Sequence, residues 1–265
     1  MQNKGLSGYW LKVIAVITML IDHVGASVLR RMLVQLPAWG PIDNANWDQW
    51  YRLYEILRGI GRMAFPIYCF LLVEGFTYTR NKAKYAMRLF VFALISEVPF
   101  DLALNDSMYY AYHNNVFFTL LIGLLMITAA DYVREKLTPE TAGENYVVWK
   151  DVIRIAFNMV ILLAGSVLAE VVLHCDYGAS GVLAIFVIYM FREQRLMGFT
   201  LAVVILGLLS STLEFAALLM LIPIYYYDGT RGRQVKYFFY AFYPVHLLAL
   251  WGIAQCITGA LCFGI

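Results

Sequence analysis

Apolar residues in this chain come in long runs broken by short polar stretches. They show neither the period of two of a half-buried strand nor the single stripe of a surface helix. The runs cover residues 10–29, 52–77, 84–102, 115–133, 152–172, 178–191, 197–211, 213–227 and 237–260. A membrane-spanning helix needs about 20 mostly apolar residues, fewer where it is short or re-entrant. The pattern predicts an all-α, polytopic bundle of about nine transmembrane helices, in one membrane domain over residues 1–265. The weakest break, Gly207 to Leu213, also admits one broken helix over 197–227. The first run is predicted to be kept as a span rather than cleaved as a signal peptide. It carries Asp22 and His23 and offers no convincing cleavage site.

Composition agrees with that pattern. The chain is 62% hydrophobic and 14% charged, with a mean hydropathy of +0.67, outside the range of a soluble domain. A net charge of only +2 makes no case for nucleic-acid binding. The four cysteines, Cys69, Cys175, Cys256 and Cys262, lack ligand spacing, so neither a disulfide nor a metal is expected.

Loop charge orients the spans. Arg80, Lys82, Lys84 and Arg88 follow the second run; Arg134, Lys136, Lys150 and Arg154 flank the gap after the fourth. Arg192 and Arg195 follow the sixth, and Arg231, Arg233 and Lys236 the eighth. The alternate loops, 103–114, 173–177 and 210–212, hold no Lys or Arg. The positive-inside rule then predicts a cytoplasmic N-terminus and an external C-terminus. Arg30 and Arg31 are exceptions. They open a stretch over 30–51 whose Trp39, Trp47 and Trp50 suit an outer membrane interface.

With this topology each polar residue acquires a depth. An ionisable residue inside a span costs about 2.5–3.5 kcal/mol on insertion scales when charged, so it marks a site by default. Asp22 and His23 fall in the outer half of the first span. Arg58 and Arg62 fall at the same level of the second, one turn apart and hence on one face. Pro66 removes a backbone bond to Arg62 and predicts a kink there. Glu97 and Asp101, Asn115, and Glu170 with His174 and Asp176 reach that level from other spans. Ion pairs between Arg58 or Arg62 and Glu97 or Asp101 would hold the bundle in register, and this weighs equally with a catalytic role. Neutral imidazole is a proton acceptor near pH 7 that a carboxylate can orient. His23 is the candidate general base, with Asp176 or Glu97 as its orienter. Asp22 points about 100° away from it and is assigned to the fold.

The opposite layer is basic. Glu74 and Arg88 lie near it, and Tyr225 to Tyr227 lead into Asp228, Gly229, Arg231 and Arg233. A glycine-rich basic loop can cradle phosphate, although cytoplasmic loops are basic without any ligand. His246 either lines a cofactor path or is a satisfied structural histidine.

Several stretches together resemble the TraX family of membrane acetyltransferases, which modify pilin N-termini in conjugation systems. They are Met19-Leu-Ile-Asp22-His23, Arg58-Gly-Ile-Gly-Arg62-Met-Ala-Phe-Pro66, Val73-Glu74-Gly75-Phe and Arg88-Leu-Phe. Ala93-Leu-Ile-Ser96-Glu97-Val-Pro99-Phe-Asp101, Asn115-Val-Phe-Phe-Thr119-Leu, Asp176-Tyr177-Gly178, Arg231-Gly232 and Phe242-Tyr243-Pro244-Val-His246 follow in order. Asp228 stands before Gly229 where the family pattern leads one to expect asparagine.

The resemblance implies a multi-pass enzyme of the bacterial cytoplasmic (inner) membrane and an acetyl group taken from cytosolic acetyl-CoA, without a metal. The acceptor would be an amine or hydroxyl of a peptide, pilin or glycan across the lipid bilayer. In this acyl-transfer reading the catalytic residues are His23, Glu97, Asp176 and Asn115. Arg58, Arg62, Asp101 and Tyr177 would serve the oxyanion or acceptor. Arg88, Asp228, Gly229, Arg231, Tyr243 and His246 would hold acetyl-CoA. Direct transfer and a transient acyl-histidine both remain open. The rival readings are a proton-coupled transporter, weakened by the lack of an internal repeat, and a structural partner in an envelope complex.

Overall fold

The computed structural model describes residues 5–35, 42, 45–137, 148–233 and 235–262. Nine helical rods lie among them, each on one of the predicted runs. They are α1 (Gly8–Val34), α2 (Trp47–Tyr78), α3 (Lys82–Phe100), α4 (Val116–Leu137) and α5 (Trp149–Val172). α6 (Gly178–Met190), α7 (Arg195–Leu209), α8 (Thr212–Tyr225) and α9 (Lys236–Cys262) complete the bundle. α1, α2, α4, α5 and α9 are long and apolar enough to cross a membrane, while α6 to α8 are shorter apolar helices. No strand occurs among the described residues. Trp39 lies outside them.

The second half of α2 is the centre of the bundle. Ala64–Tyr78 is apolar on every side and packs against α1, α4, α6, α7 and α8, burying Phe65, Ile67, Cys69, Phe70, Leu72 and Val73. A helix that is hydrophobic all round belongs in such a position. α5 is its opposite: Met159, Val160 and Leu163 are about two-thirds exposed, a face suited to lipid.

The breaks follow local chemistry. α2 is interrupted at Arg62 and Met63, where Met63 N donates to Ile60 O at 3.3 Å in a tightened turn. This is the kink expected from Pro66, whose ring has no N–H to offer the Arg62 carbonyl. Asn81 caps α3, its side chain accepting from Lys84 N at 2.8 Å. Ser210 and Ser211 separate α7 from α8, and α8 begins as a 3-10 helix over Thr212–Met220. α1 loosens into a π turn over Val24–Leu29, immediately after His23. Such insertions recur at functional sites.

Arg30 and Arg31, the exceptions to the loop-charge rule, are held by backbone. Arg30 donates to Leu104 O at 2.8 Å and Arg31 to Leu102 O at 2.7 Å; Arg31 also pairs with Asp106. Backbone clasps close both ends of the bundle. Leu6 and Gly8 bond to Tyr226, Asp228 and Thr230 at one end, and Asn114 bonds to His174 and Asp176 at the other.

Candidate active site

α1 delivers His23 at the last residue of its regular helix, and α9 delivers His246 about 15 Å from its start at 1.5 Å per residue. The imidazoles meet: His23 Nδ1 lies 2.6 Å from His246 Nε2. The rings meet edge to edge, with centroids 4.9 Å apart and planes 20° from parallel. His246 Nδ1 lies 2.7 Å from the Phe242 carbonyl, one turn back on its own helix. Both histidines are buried, and Tyr243 sets its ring edge-on to each of them.

This corrects the expected orienter. Neither Asp176 nor Glu97 bonds to His23. Asp176 faces His113, at 3.6 Å, on the loop before α4. The Asp176 carboxylate raises the His113 pKa above its ordinary value against partial desolvation; Asp101 and Glu97 add to the effect. Glu97 receives both the backbone N–H and the side-chain amide of Asn115. Asn115 is fully buried and committed elsewhere: its amide also donates to Ala93 O at 2.8 Å, while its oxygen caps α4 by accepting from Phe117 N at 3.0 Å. Both amide hydrogens are therefore engaged, and neither is left for an oxyanion. Asp101 accepts from Tyr110 N at 2.8 Å and Asn105 at 3.0 Å, tying down the end of α3.

A charged cluster flanks the histidine pair. Arg58 donates to Asp22 at 2.7 Å, and Arg62 donates to Glu214 at 3.1 Å and to the Tyr177 hydroxyl at 3.3 Å. Arg62 also lies 3.7 Å from Asp22. The arginines therefore answer Asp22 and Glu214, not Glu97 and Asp101. Gly61 makes this possible, since a Cβ there would run into the Asp22 carboxylate. Tyr177 takes a left-handed backbone, φ 65°, and stacks on Phe65 at 3.7 Å. Arg62 Nε and Glu214 Oε2 are buried without a hydrogen-bond partner. Glu214 is fully buried, and the sequence reading missed it. The available signal was an acid inside an apolar run.

On the other side of the histidines a cavity of about 280 Å³ opens. Lys12, Tyr78, Arg88 and Arg231 surround its mouth; Tyr68, Leu72, Leu89, Phe117 and Tyr240 line it; Tyr243 closes the inner end. Arg231 donates to Tyr78 O at 2.7 Å. Glu74, also at the wall, accepts from the Tyr227 hydroxyl at 3.0 Å and lies 3.5 Å from Arg195. Of the six residues expected to hold acetyl-CoA, Arg88, Arg231 and Tyr243 line this cavity. Asp228 and Gly229 do not line it: Asp228 bonds to Thr230 N and Oγ1 at 2.8 and 2.7 Å, and Gly229 turns the loop at φ 77°. They shape the loop that carries Arg231. His246 lies behind Tyr243 rather than on the cavity wall.

This geometry joins a basic, aromatic channel to a buried imidazole pair and a buried charge cluster. The chain is similar along nearly its whole length to the probable fimbrial assembly protein FimC, serogroup H1, of Dichelobacter nodosus. The two are 29% identical over 276 residues, covering 94% of this chain and 96% of that protein. No solved structure matches the chain. The TraX protein family profile matches residues 7–254 without interruption, and the chain belongs to the TraX family.

Proposed function

We propose that the protein is an acetyltransferase that moves an acetyl group from acetyl-CoA to an amine, with His23 as general base. The observation that carries this reading is the cavity with arginines at its mouth and Tyr243 at its inner end, against His23 and His246. A nucleotide needs cations for its phosphates, and its pantetheine arm needs a narrow apolar slot. In this reading Arg88 and Arg231 receive the phosphates, and the thioester reaches Tyr243.

His23 takes the proton from the acceptor amine as its nitrogen attacks the thioester carbonyl. The C–N bond forms, the C–S bond breaks, and the CoA thiolate leaves to be reprotonated while His23 returns its proton. The Arg62 N–H that lacks a partner is the donor nearest to hand for the developing oxyanion. The fimbrial-assembly relative directs the acceptor reading to a fimbrial or pilin-type subunit. The basic residues at the mouth, Lys12, Arg88 and Arg231, support a cytoplasmic mouth and a cytoplasmic N-terminus, in a bacterial inner-membrane protein of about nine spans.

The test is acetyl transfer in proteoliposomes, with labelled acetyl-CoA on one side and a pilin-type N-terminal peptide supplied on both. Acetyl-peptide should form with one CoA released per acetyl, and His23→Ala should slow it by about 100-fold or more. Full transfer by His23→Ala removes His23 from the chemistry. With the peptide supplied outside alone, its uptake without CoA release points to transport instead.

A further inference from the structure

We infer that His246 is a positioning residue: it locks His23 in the tautomer that carries hydrogen on Nδ1 and leaves Nε2 as a bare lone pair. The consequence for catalysis rests on the acetyl-transfer reading, whereas the tautomer itself can be measured without any acceptor.

The argument begins at the Phe242 carbonyl. A carbonyl oxygen only accepts, so the 2.7 Å contact with His246 Nδ1 requires the hydrogen on that nitrogen. A neutral imidazole carries one N–H, so His246 Nε2 is then an acceptor. The atom 2.6 Å away, His23 Nδ1, must be the donor. His23 has then used its only hydrogen, and Nε2 is left basic. The whole chain, carbonyl to His246 to His23, runs in one direction.

Burial keeps that direction fixed. Both rings are almost wholly shielded, His23 at 8% and His246 at 6% exposure. An unmade hydrogen bond there lacks water to compensate it. Stacking at 4.7 Å on Phe242 fixes the plane of the His246 ring, and His23 meets its edge nearly coplanar, 20° from parallel. When His23 takes a proton on Nε2, the existing Nδ1 hydrogen bond lets its charge spread to His246. A carboxylate would do the same orienting work in a histidine–acid pair. Here a second imidazole, itself oriented by a backbone carbonyl, takes that place. Asp22, the nearest acid in sequence, is occupied by Arg58.

The experiment is nitrogen NMR on ¹⁵N-histidine-labelled protein in nanodiscs, with the four histidines, His23, His113, His174 and His246, assigned by substitution. Wild type should show His23 protonated at Nδ1 and bare at Nε2. His246→Leu should lose that signature and drop kcat about 100-fold with the KM for acetyl-CoA unchanged. His246→Gln, whose side-chain oxygen can accept from Nδ1, should restore the tautomer and bring kcat to within about tenfold of wild type. Hydrogen on His23 Nε2 in the wild type overturns the proposal, as does wild-type kcat in a stably folded His246→Leu. If His246→Leu does not fold, the wild-type and His246→Gln spectra still decide. If wild type transfers no acetyl group, the functional reading fails and the tautomer result stands alone.

Discussion

The two polar regions on either side of the histidine pair use arginine in opposite ways. In the cluster, Arg58 and Arg62 are answered by carboxylates, Asp22 and Glu214, and all four side chains are largely shielded. At the cavity mouth, Arg231 is held by the Tyr78 carbonyl and lies over the Tyr78 ring, and Arg88 lies over Tyr85 and bonds to Tyr240 while its Nε has no partner. The first arrangement neutralises its own charge and fixes the packing of α1, α2 and α8. The second leaves positive charge for something else to satisfy. A buried pair is hard to break but adds little net stability, whereas an arginine held by rings and carbonyls keeps its full attraction for an anion. The difference separates a region that orders the bundle from one suited to a phosphate.

The comparison breaks most visibly at Asp22. Asp22→Ala leaves Arg58 without its ion pair and Arg62 with Glu214 alone, which should cost about 3–5 kcal/mol. Thermal unfolding in detergent should show a large fall; an unchanged Tm would mean that the cluster is not structural. Gly61→Ala pushes a methyl group into the same carboxylate and should cost about 1–3 kcal/mol on the same assay. At the mouth the balance reverses. Arg231→Ala should weaken acetyl-CoA binding about tenfold, roughly 1.4 kcal/mol, while stability stays within about 0.5 kcal/mol. Equal losses in both would erase the distinction between the regions.

The smallest effect concerns His113, which has the carboxylate partner that His23 lacks. Its pKa is raised, first by the Asp176 hydrogen bond. The stabilisation is therefore complete below the ordinary histidine value of about 6.5 and fades as pH rises through the raised folded value. NMR titration should place the His113 midpoint above the ordinary value. Asp176→Asn should bring it down, with only a slight change in Tm because the pair is over a third exposed at His113. A midpoint at the ordinary value would remove the pairing.

Much of the architecture was legible in the sequence because it depends on local chemistry. Apolar runs mark the nine rods, Pro66 marks the break at Arg62 and Met63, and the serines after Gly207 mark the turn before α8. Position along each rod was legible too, from counting along each run. Direction around the helix axis was not. Asp22, Glu97, Asp101 and Asp176 were all assigned to one level. Which of them meets Arg58 depends on how closely α1 approaches α2, and that is decided by Gly61 and Gly25. The partner of His23 lies 223 residues away and is another base. A search for a carboxylate orienter passes over it. Glu214 was visible as an acid inside an apolar run, but its place opposite Arg62 depends on how the short 3-10 helix that opens α8 packs on α2.

The most direct test of the central claim is calorimetric binding of acetyl-CoA to the detergent-purified protein, with Arg231→Ala, Arg88→Ala and His23→Ala alongside. The account predicts saturable binding near one acetyl-CoA per chain, weakened in both arginine variants and unchanged in His23→Ala, because the nucleotide sits at the mouth and the chemistry at the inner end. No binding by a folded, monodisperse preparation would contradict it. So would binding that survives both arginine substitutions and disappears with His23.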